Sequence, residues 1–171
     1  MANIKFLYEN LIDSATLLAS SEAVGFPASN LKNPFRSKVW RTAGTIPGTA
    51  TLNIDLGSGT ISTTCIALIG YSWAAAPGTL NLEFDNDPAY GSIDHTEALT
   101  WAANPTTNGN YGTIIKIFTS KDERYLRLNV VNAPGDWDLG RIFIGTYFEP
   151  TYGYSPGWTG EYIDESMGQR T

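Results

Sequence analysis

At 171 residues with a net charge of −6 and a pI near 4.6, the chain is the size of one domain. Its 11 Lys and Arg are scattered among 17 Asp and Glu without a basic stripe, which argues against nucleic acid and against an anionic membrane as partners. Only 16% of residues are charged, against about 25% in an average soluble domain, and 17 Gly with many Ser, Thr and Asn take their place. That is a composition of strands joined by many turns. Aromatic content is 12%, with five Trp and nine Tyr, so some rings are expected to face a partner.

The N-terminal Met1-Ala2-Asn3-Ile4-Lys5-Phe6 lacks the apolar core of a signal peptide, and no stretch approaches the roughly 18 apolar residues that span a bilayer. Synthesis in the cytoplasm without a signal peptide is the expectation. Strand candidates then follow at Ile4–Tyr8 and Ala15–Ser20. The best helical turn is Ala28–Lys32, with Ser29 as its cap and Pro34 ending it. Lys38–Thr42 is a strand whose Trp40 is expected in the core. Leu52, Ile54 and Leu56 alternate with Thr51, Asn53 and Asp55, the period-two pattern of one wet and one dry face. Cys65 to Ile69 is apolar on both faces and is expected to be a central, doubly covered strand. The lone Cys65 is read there as a small buried hydrophobe, and one Cys excludes an internal disulfide or a multi-thiolate zinc site.

Leu80, Leu82 and Phe84 alternate again, and residues 86–112 read as a long polar loop. Thr113–Phe118 is a further strand candidate. Leu126, Leu128 and Val130 repeat the alternation, and Ile142 to Phe148 is apolar on both faces. The spacers, such as Gly57-Ser58-Gly59, Ala76-Pro77-Gly78 and Ala133-Pro134-Gly135-Asp136, have turn chemistry. About nine short strands punctuated in this way predict an all-β sandwich or barrel over residues 1–149. Residues 150–171 are of another kind, an aromatic and Gly-rich arm that cannot form a core alone. Either it wraps back onto the sandwich or it waits for a neighbouring subunit; the second is favoured because so many rings would otherwise be wet, and Tyr152, Tyr154, Trp158 and Tyr162 are then expected at that interface.

Few residues suggest chemistry. Gly70-Tyr71-Ser72-Trp73-Ala74 imitates the nucleophile elbow of hydrolases, but Pro77-Gly78 stops the helix that must follow, and His95 is the only base. Asp85-Asn86-Asp87 resembles the start of a calcium loop, yet Tyr90 stands where Gly is needed and Glu97 falls one residue late. The pairs Asp85/Asp87 and Asp136/Asp138 would serve as acid and base in glycoside cleavage only if they met across a cleft. No cofactor, metal or catalytic residue is therefore expected. The loop aromatics Trp73, Tyr90, Trp101, Tyr111 and Trp137 are the candidate ligand-binding residues, since a flat ring stacks on a sugar face or anchors a protein contact.

Ala28-Ser29-Asn30-Leu31 with Ser37-Lys38-Val39-Trp40-Arg41 resembles the discoidin-type segment in which a small turn precedes a Ser/Thr and a Trp. Ala50–Gly57 resembles the strand ending Asp-Leu-Gly, and Arg124–Leu128 with Arg141–Gly145 resembles the later strands of that family. The likeness covers about residues 10–148 and implies a jelly-roll sandwich of the galactose-binding type, normally a docking module without chemistry. Many such modules hold a structural cation near the turn before the Trp. Asn30, Asn33 and Ser37 occupy comparable positions, but the usual Asp-Gly is missing, so no metal is carried over. The Pro-Ala-Ser-Asn-Leu…Val-Trp-Arg run and the tail Gly-Glu-Tyr-Ile-Asp-Glu-Ser are similar in style to small structural proteins of tailed phages and prophages. That resemblance implies a virion component of a tail tip, baseplate or fibre attachment, bound to other tail proteins as a homo- or hetero-oligomer. The alternative is a carbohydrate-binding module for a host-surface glycan, and the third reading a small glycosidase or esterase.

Overall fold

The computed structural model describes residues 4–35, 37–44, 48–57, 61–73, 75–101, 112–133 and 135–150. The alternating segments form a five-stranded antiparallel sheet. Its central strands are β4 (Gly48–Asp55), β9 (Tyr125–Ala133) and β6 (Thr79–Asp85), and its edges are β2 (Thr16–Ala19) and β7 (His95–Ala98), in the order β2-β4-β9-β6-β7. Leu52, Leu128 and Leu82 stand side by side across the three central strands, as do Ile54, Leu126 and Phe84, and all six are at most 1% exposed. Each such burial contributes about 1.5–3 kcal/mol. This is the dry face of the pattern read from the sequence.

The second layer is a three-stranded sheet in the order β11-β5-β8, from β11 (Arg141–Gly145), β5 (Thr63–Tyr71) and β8 (Gly112–Lys121). Its inward row Ile142, Leu68 and Ile114 closes the core from the other side. β5 is apolar on both faces because both are covered. Outward, Cys65, Ala67 and Phe143 pack under Leu7, Ile69 and Tyr147. Leu7 and Tyr147 belong to a two-stranded ribbon of β1 (Phe6–Leu7) and β12 (Tyr147–Phe148). The ribbon presses close enough that a Cβ at Gly145 would collide with the Glu9 carbonyl.

Register and chain order fix two ends. Asp55, Tyr125, Asp85, Thr63 and Lys121 lie at the basal end, where β11 also gives way to β12. Gly48, Ala133, Thr79, Tyr71 and Gly112 lie at the distal end. A last pair, β3 (Trp40–Arg41) with β10 (Asp138–Leu139), borders the distal end. Among the described residues no helix is long and apolar enough to cross a membrane.

Three local expectations need correction. The turn Ala28–Lys32 is a 3₁₀ helix, but Ser29 lies inside it; Pro27 is at the cap position and the Glu22 carboxylate takes the Ala28 N–H at 2.8 Å. Residues 86–112 are not one loop, since β7 adds a strand to the open edge of β6. Ile142 to Phe148 is not one strand, since β11 ends at Gly145 and Tyr147–Phe148 pairs with β1 in a separate ribbon; the two-residue β10 has no period from which to read it. The arm, 151–171, and the interface expected of Tyr152, Tyr154, Trp158 and Tyr162 lie outside the described residues.

Two outcomes follow from this packing. Leu128→Ala, at a fully buried position on the middle strand, should lower stability by about 2–5 kcal/mol in urea titration, with the β-type circular dichroism unchanged. Asp55 is clamped by Arg124 (Nε–Oδ1 2.7 Å, Nη2–Oδ2 2.8 Å), which with the Gly57 N–H holds its carboxyl below the ordinary range. A depressed folded-state pKa stabilises above the unfolded pKa, and the gain is lost as pH falls through the folded value. The difference in urea midpoint between wild type and Arg124→Gln should thus be present at neutral pH and vanish as pH falls through the folded-state value.

Candidate functional site

The distal end is built over a pile of four rings. Trp137 meets Trp40 edge-on at 4.8 Å and tilts against Trp73 at 4.9 Å, and Trp73 meets Tyr71 at 4.8 Å. Burial of such rings is favourable well beyond that of aliphatic side chains, and the loops that carry them are laced down to achieve it. Trp40 donates its indole N–H to the Ser21 carbonyl at 3.0 Å. The Trp137 N–H goes to the Thr42 hydroxyl at 3.2 Å, and the Thr42 N–H returns to the Trp137 carbonyl at 3.1 Å. Arg41 grips Asp138 with two bonds of 2.6 and 2.8 Å.

Trp40 is in the core as expected, with no exposure at all. Trp73 and Trp137, expected as loop platforms, are 1% and 2% exposed and serve as internal packing instead. Tyr90 lies at the opposite, basal end after β6. Its backbone takes the left-handed φ of 52°, its hydroxyl donates to the Leu126 carbonyl at 2.6 Å, and the Arg127 guanidinium covers its ring at 4.5 Å. Burial pushes its phenol well above the ordinary range. Tyr111 lies outside the described residues.

Trp101 differs from the other expected rings. It is half-buried against the core just past β7, and it walls a distal groove of about 350 Å³ with Pro77, Thr79, Asn81 and Ala98. Among the described residues no lining residue is charged. The floor is tight, since a Cβ at Gly78 would stand 3.1 Å from the Asn132 side chain. The indole N–H groups of Trp101 and Trp73 are buried and have no acceptor among the described residues. A flat apolar wall beside a hydroxyl and a carboxamide suits a neutral ligand with one C–H face and several hydroxyls. Sequence reasoning named Trp101 but missed Thr79 and Asn81, whose alternation in β6 looked like ordinary strand surface.

The candidate chemistry disperses. The Ser72 hydroxyl accepts the Asp138 N–H at 2.7 Å at the distal end, whereas His95 starts β7 at the basal end, 3.2 Å from Glu123. Asp85 and Asp87 are basal and make turns, accepting the Asp87 and Ala89 N–H groups at 2.8 and 2.9 Å. They stand at the far end of the sandwich from Asp138, so the two acid pairs do not face each other. Asn30 is spent on the Val39 carbonyl and Asn33 on the Phe35 N–H. Among the described residues no group of three or more His, Cys, Asp or Glu is placed to hold a metal.

No family model matches the chain, and no curated protein matches it in sequence. Solved structures do match. The family 32 carbohydrate-binding module of C. perfringens NanJ in complex with galactose is 16% identical with a TM-score of 0.61, over 85% of this chain and 100% of that one. Chitosan-binding module 1 of a chitosanase/glucanase from Paenibacillus sp. IK-5 is 22% identical with a TM-score of 0.57, over 81% and 100%. The lectin domain of lectinolysin complexed with Lewis b antigen is 17% identical with a TM-score of 0.57, over 80% and 95%. The fold is the jelly-roll sandwich of the galactose-binding kind. Nothing among these likenesses leads to a tailed-phage particle.

Cys65 is fully buried beneath the ribbon, its thiol 3.3 Å from the Gly145 carbonyl, and burial raises its pKa. A thiol held protonated and covered should not react with Ellman's reagent in the folded protein at neutral pH, and should react at once in denaturant.

Proposed function

We propose that the protein is a non-catalytic carbohydrate-binding module that holds a neutral glycan in the distal groove, with one sugar face on Trp101 and hydroxyls bonded to Thr79 and Asn81. The observation that carries this reading is the uncharged groove walled by the half-buried Trp101. A hydroxyl-rich ligand stacks through its C–H face, while the polar strand residues beside the ring fix its orientation. Support also comes from the solved neighbours, two of which as named are complexed with galactose or the Lewis b antigen. They favour this reading over the virion-subunit one.

The hydrolase readings lose support from geometry. Ser72 and His95 are at opposite ends, and Asp138 is engaged by Arg41 rather than left to move a proton.

Screening on a glycan array followed by titration calorimetry tests the proposal. Trp101→Ala should weaken binding by more than about tenfold, or roughly 1.4 kcal/mol, and Asn81→Ala should weaken it less. Trp137→Phe should lower stability and leave affinity nearly unchanged. A glycan bound equally well by wild type and Trp101→Ala, or no glycan bound at all, would overturn the assignment.

A further inference from the structure

Beside the distal groove, the end of β9 breaks the alternation that governs the rest of that strand. Leu126, Leu128 and Val130 face inward, so a period of two would turn Asn132 into the core after them. Asn132 is exposed instead, and Ala133 is the buried residue. The cause is a β-bulge. Gly48 pairs with Ala133 and Ala50 with Val130, so Val131 and Asn132 together oppose Thr49 alone. Asn132 takes a left-handed φ of 54°, which glycine adopts freely and asparagine bears better than most L residues. Its side chain lies over Gly78, with Cβ and Nδ2 each 3.1 Å from where a Cβ on that glycine would stand. Gly78 is part of the groove wall. Backbone strain of this kind is held where the surrounding structure over-determines it, and a bulge re-aims a side chain. Here it keeps a carboxamide out of the core and sets it at the rim of the groove.

The Asn132 carboxamide has no hydrogen-bond partner among the described residues, and neither have the Thr79 hydroxyl and the Asn81 carboxamide. Elsewhere such groups are engaged: Asn10 with the Ile142 carbonyl, Asn30 with the Val39 carbonyl, Asn33 with the Phe35 N–H and Asn86 with Asp94. Because β6 lies between β9 and β7, Asn132 and Trp101, which follows β7, flank the start of β6 from opposite sides. Two strand spacings, roughly 10 Å, separate those sides. That is wider than one pyranose ring, so a ligand stacked on Trp101 meets Asn132 only through a second sugar unit. We propose that Asn132 is a ligand contact and a specificity-determining residue, and that the groove selects a neutral oligosaccharide of two or more units over a free monosaccharide. The first ring stacks on Trp101, and a hydroxyl of the second bonds the Asn132 carboxamide across β6. A monosaccharide occupies the Trp101 side and leaves Asn132 to water. This rests on the glycan reading of the groove and narrows it to a class of ligand.

The test is an array of neutral mono-, di- and trisaccharides probed with the full chain as wild type, Trp101→Ala and Asn132→Gly. Calorimetric titration then follows for the best-bound disaccharide and for each of its two monosaccharides. Glycine takes a left-handed φ without steric cost, so Asn132→Gly removes the carboxamide and leaves the bulge in place. Wild type should prefer the disaccharide over either monosaccharide by about fivefold or more, the worth of a hydrogen bond to ligand. In Asn132→Gly that preference should fall below about twofold while monosaccharide affinity stays as it was, which also reports an intact fold. Three results would overturn the inference and leave the glycan reading standing, provided Trp101→Ala still weakens binding. A monosaccharide could bind as tightly as the disaccharide; the preference could survive Asn132→Gly; or that variant could lose both ligands equally. No sugar bound at all, or binding indifferent to Trp101→Ala, sinks the glycan reading and this inference with it.

Discussion

The register of β9 between β4 and β6 is the constraint on which everything else depends. Side chains alternate with a period of two, so a slip of one residue would bury Arg127 and Asn129 and expose Leu126 and Leu128. The outer face resists that slip as firmly as the core does. Arg127 bonds Glu83 across the strands at 2.6 Å, and Asn129 reaches the same carboxylate at 2.9 Å. With that register set, the starts of β6 and β8 and the ends of β5 and β9 are drawn to one end, and the distal loops have a rigid base.

Much of this fold was legible because it depends on burial, and burial leaves a period in the sequence. Leu52, Ile54, Leu80, Leu82, Leu126 and Leu128 announced their faces, and the doubly apolar Cys65 to Ile69 announced a covered strand. β7 did not, because His-Thr-Glu-Ala has no apolar alternation and becomes a strand by pairing with the free edge of β6. Neither did the destination of the rings. Trp73, Trp101 and Trp137 sit in similar small-residue and turn contexts, and nothing local distinguishes a ring that points in from one that borders a groove. The difference is tertiary: Trp137 has Thr42 and Trp40 to receive it, whereas Trp101 lies past the last strand of the sheet, where only part of its ring finds cover.

The distribution of charge bears on the choice between binding and reaction. Four arginines each clamp a carboxylate distant in sequence: Arg41 with Asp138, Arg124 with Asp55, Arg127 with Glu83 and Arg141 with Asp13. The two forked pairs, Arg41–Asp138 and Arg124–Asp55, fix geometry more than they add stability at a surface. Each of these acids is thereby engaged with a fixed partner. Ser72 is likewise committed, as an acceptor for the backbone of β10.

A neutral groove on an acidic protein implies a particular kind of recognition. With no charge among the described lining residues, a ligand held there as proposed would draw on ring stacking and hydrogen bonds, which act at contact distance and are little screened by salt. The net charge of −6 acts on solubility and on which surfaces the protein approaches.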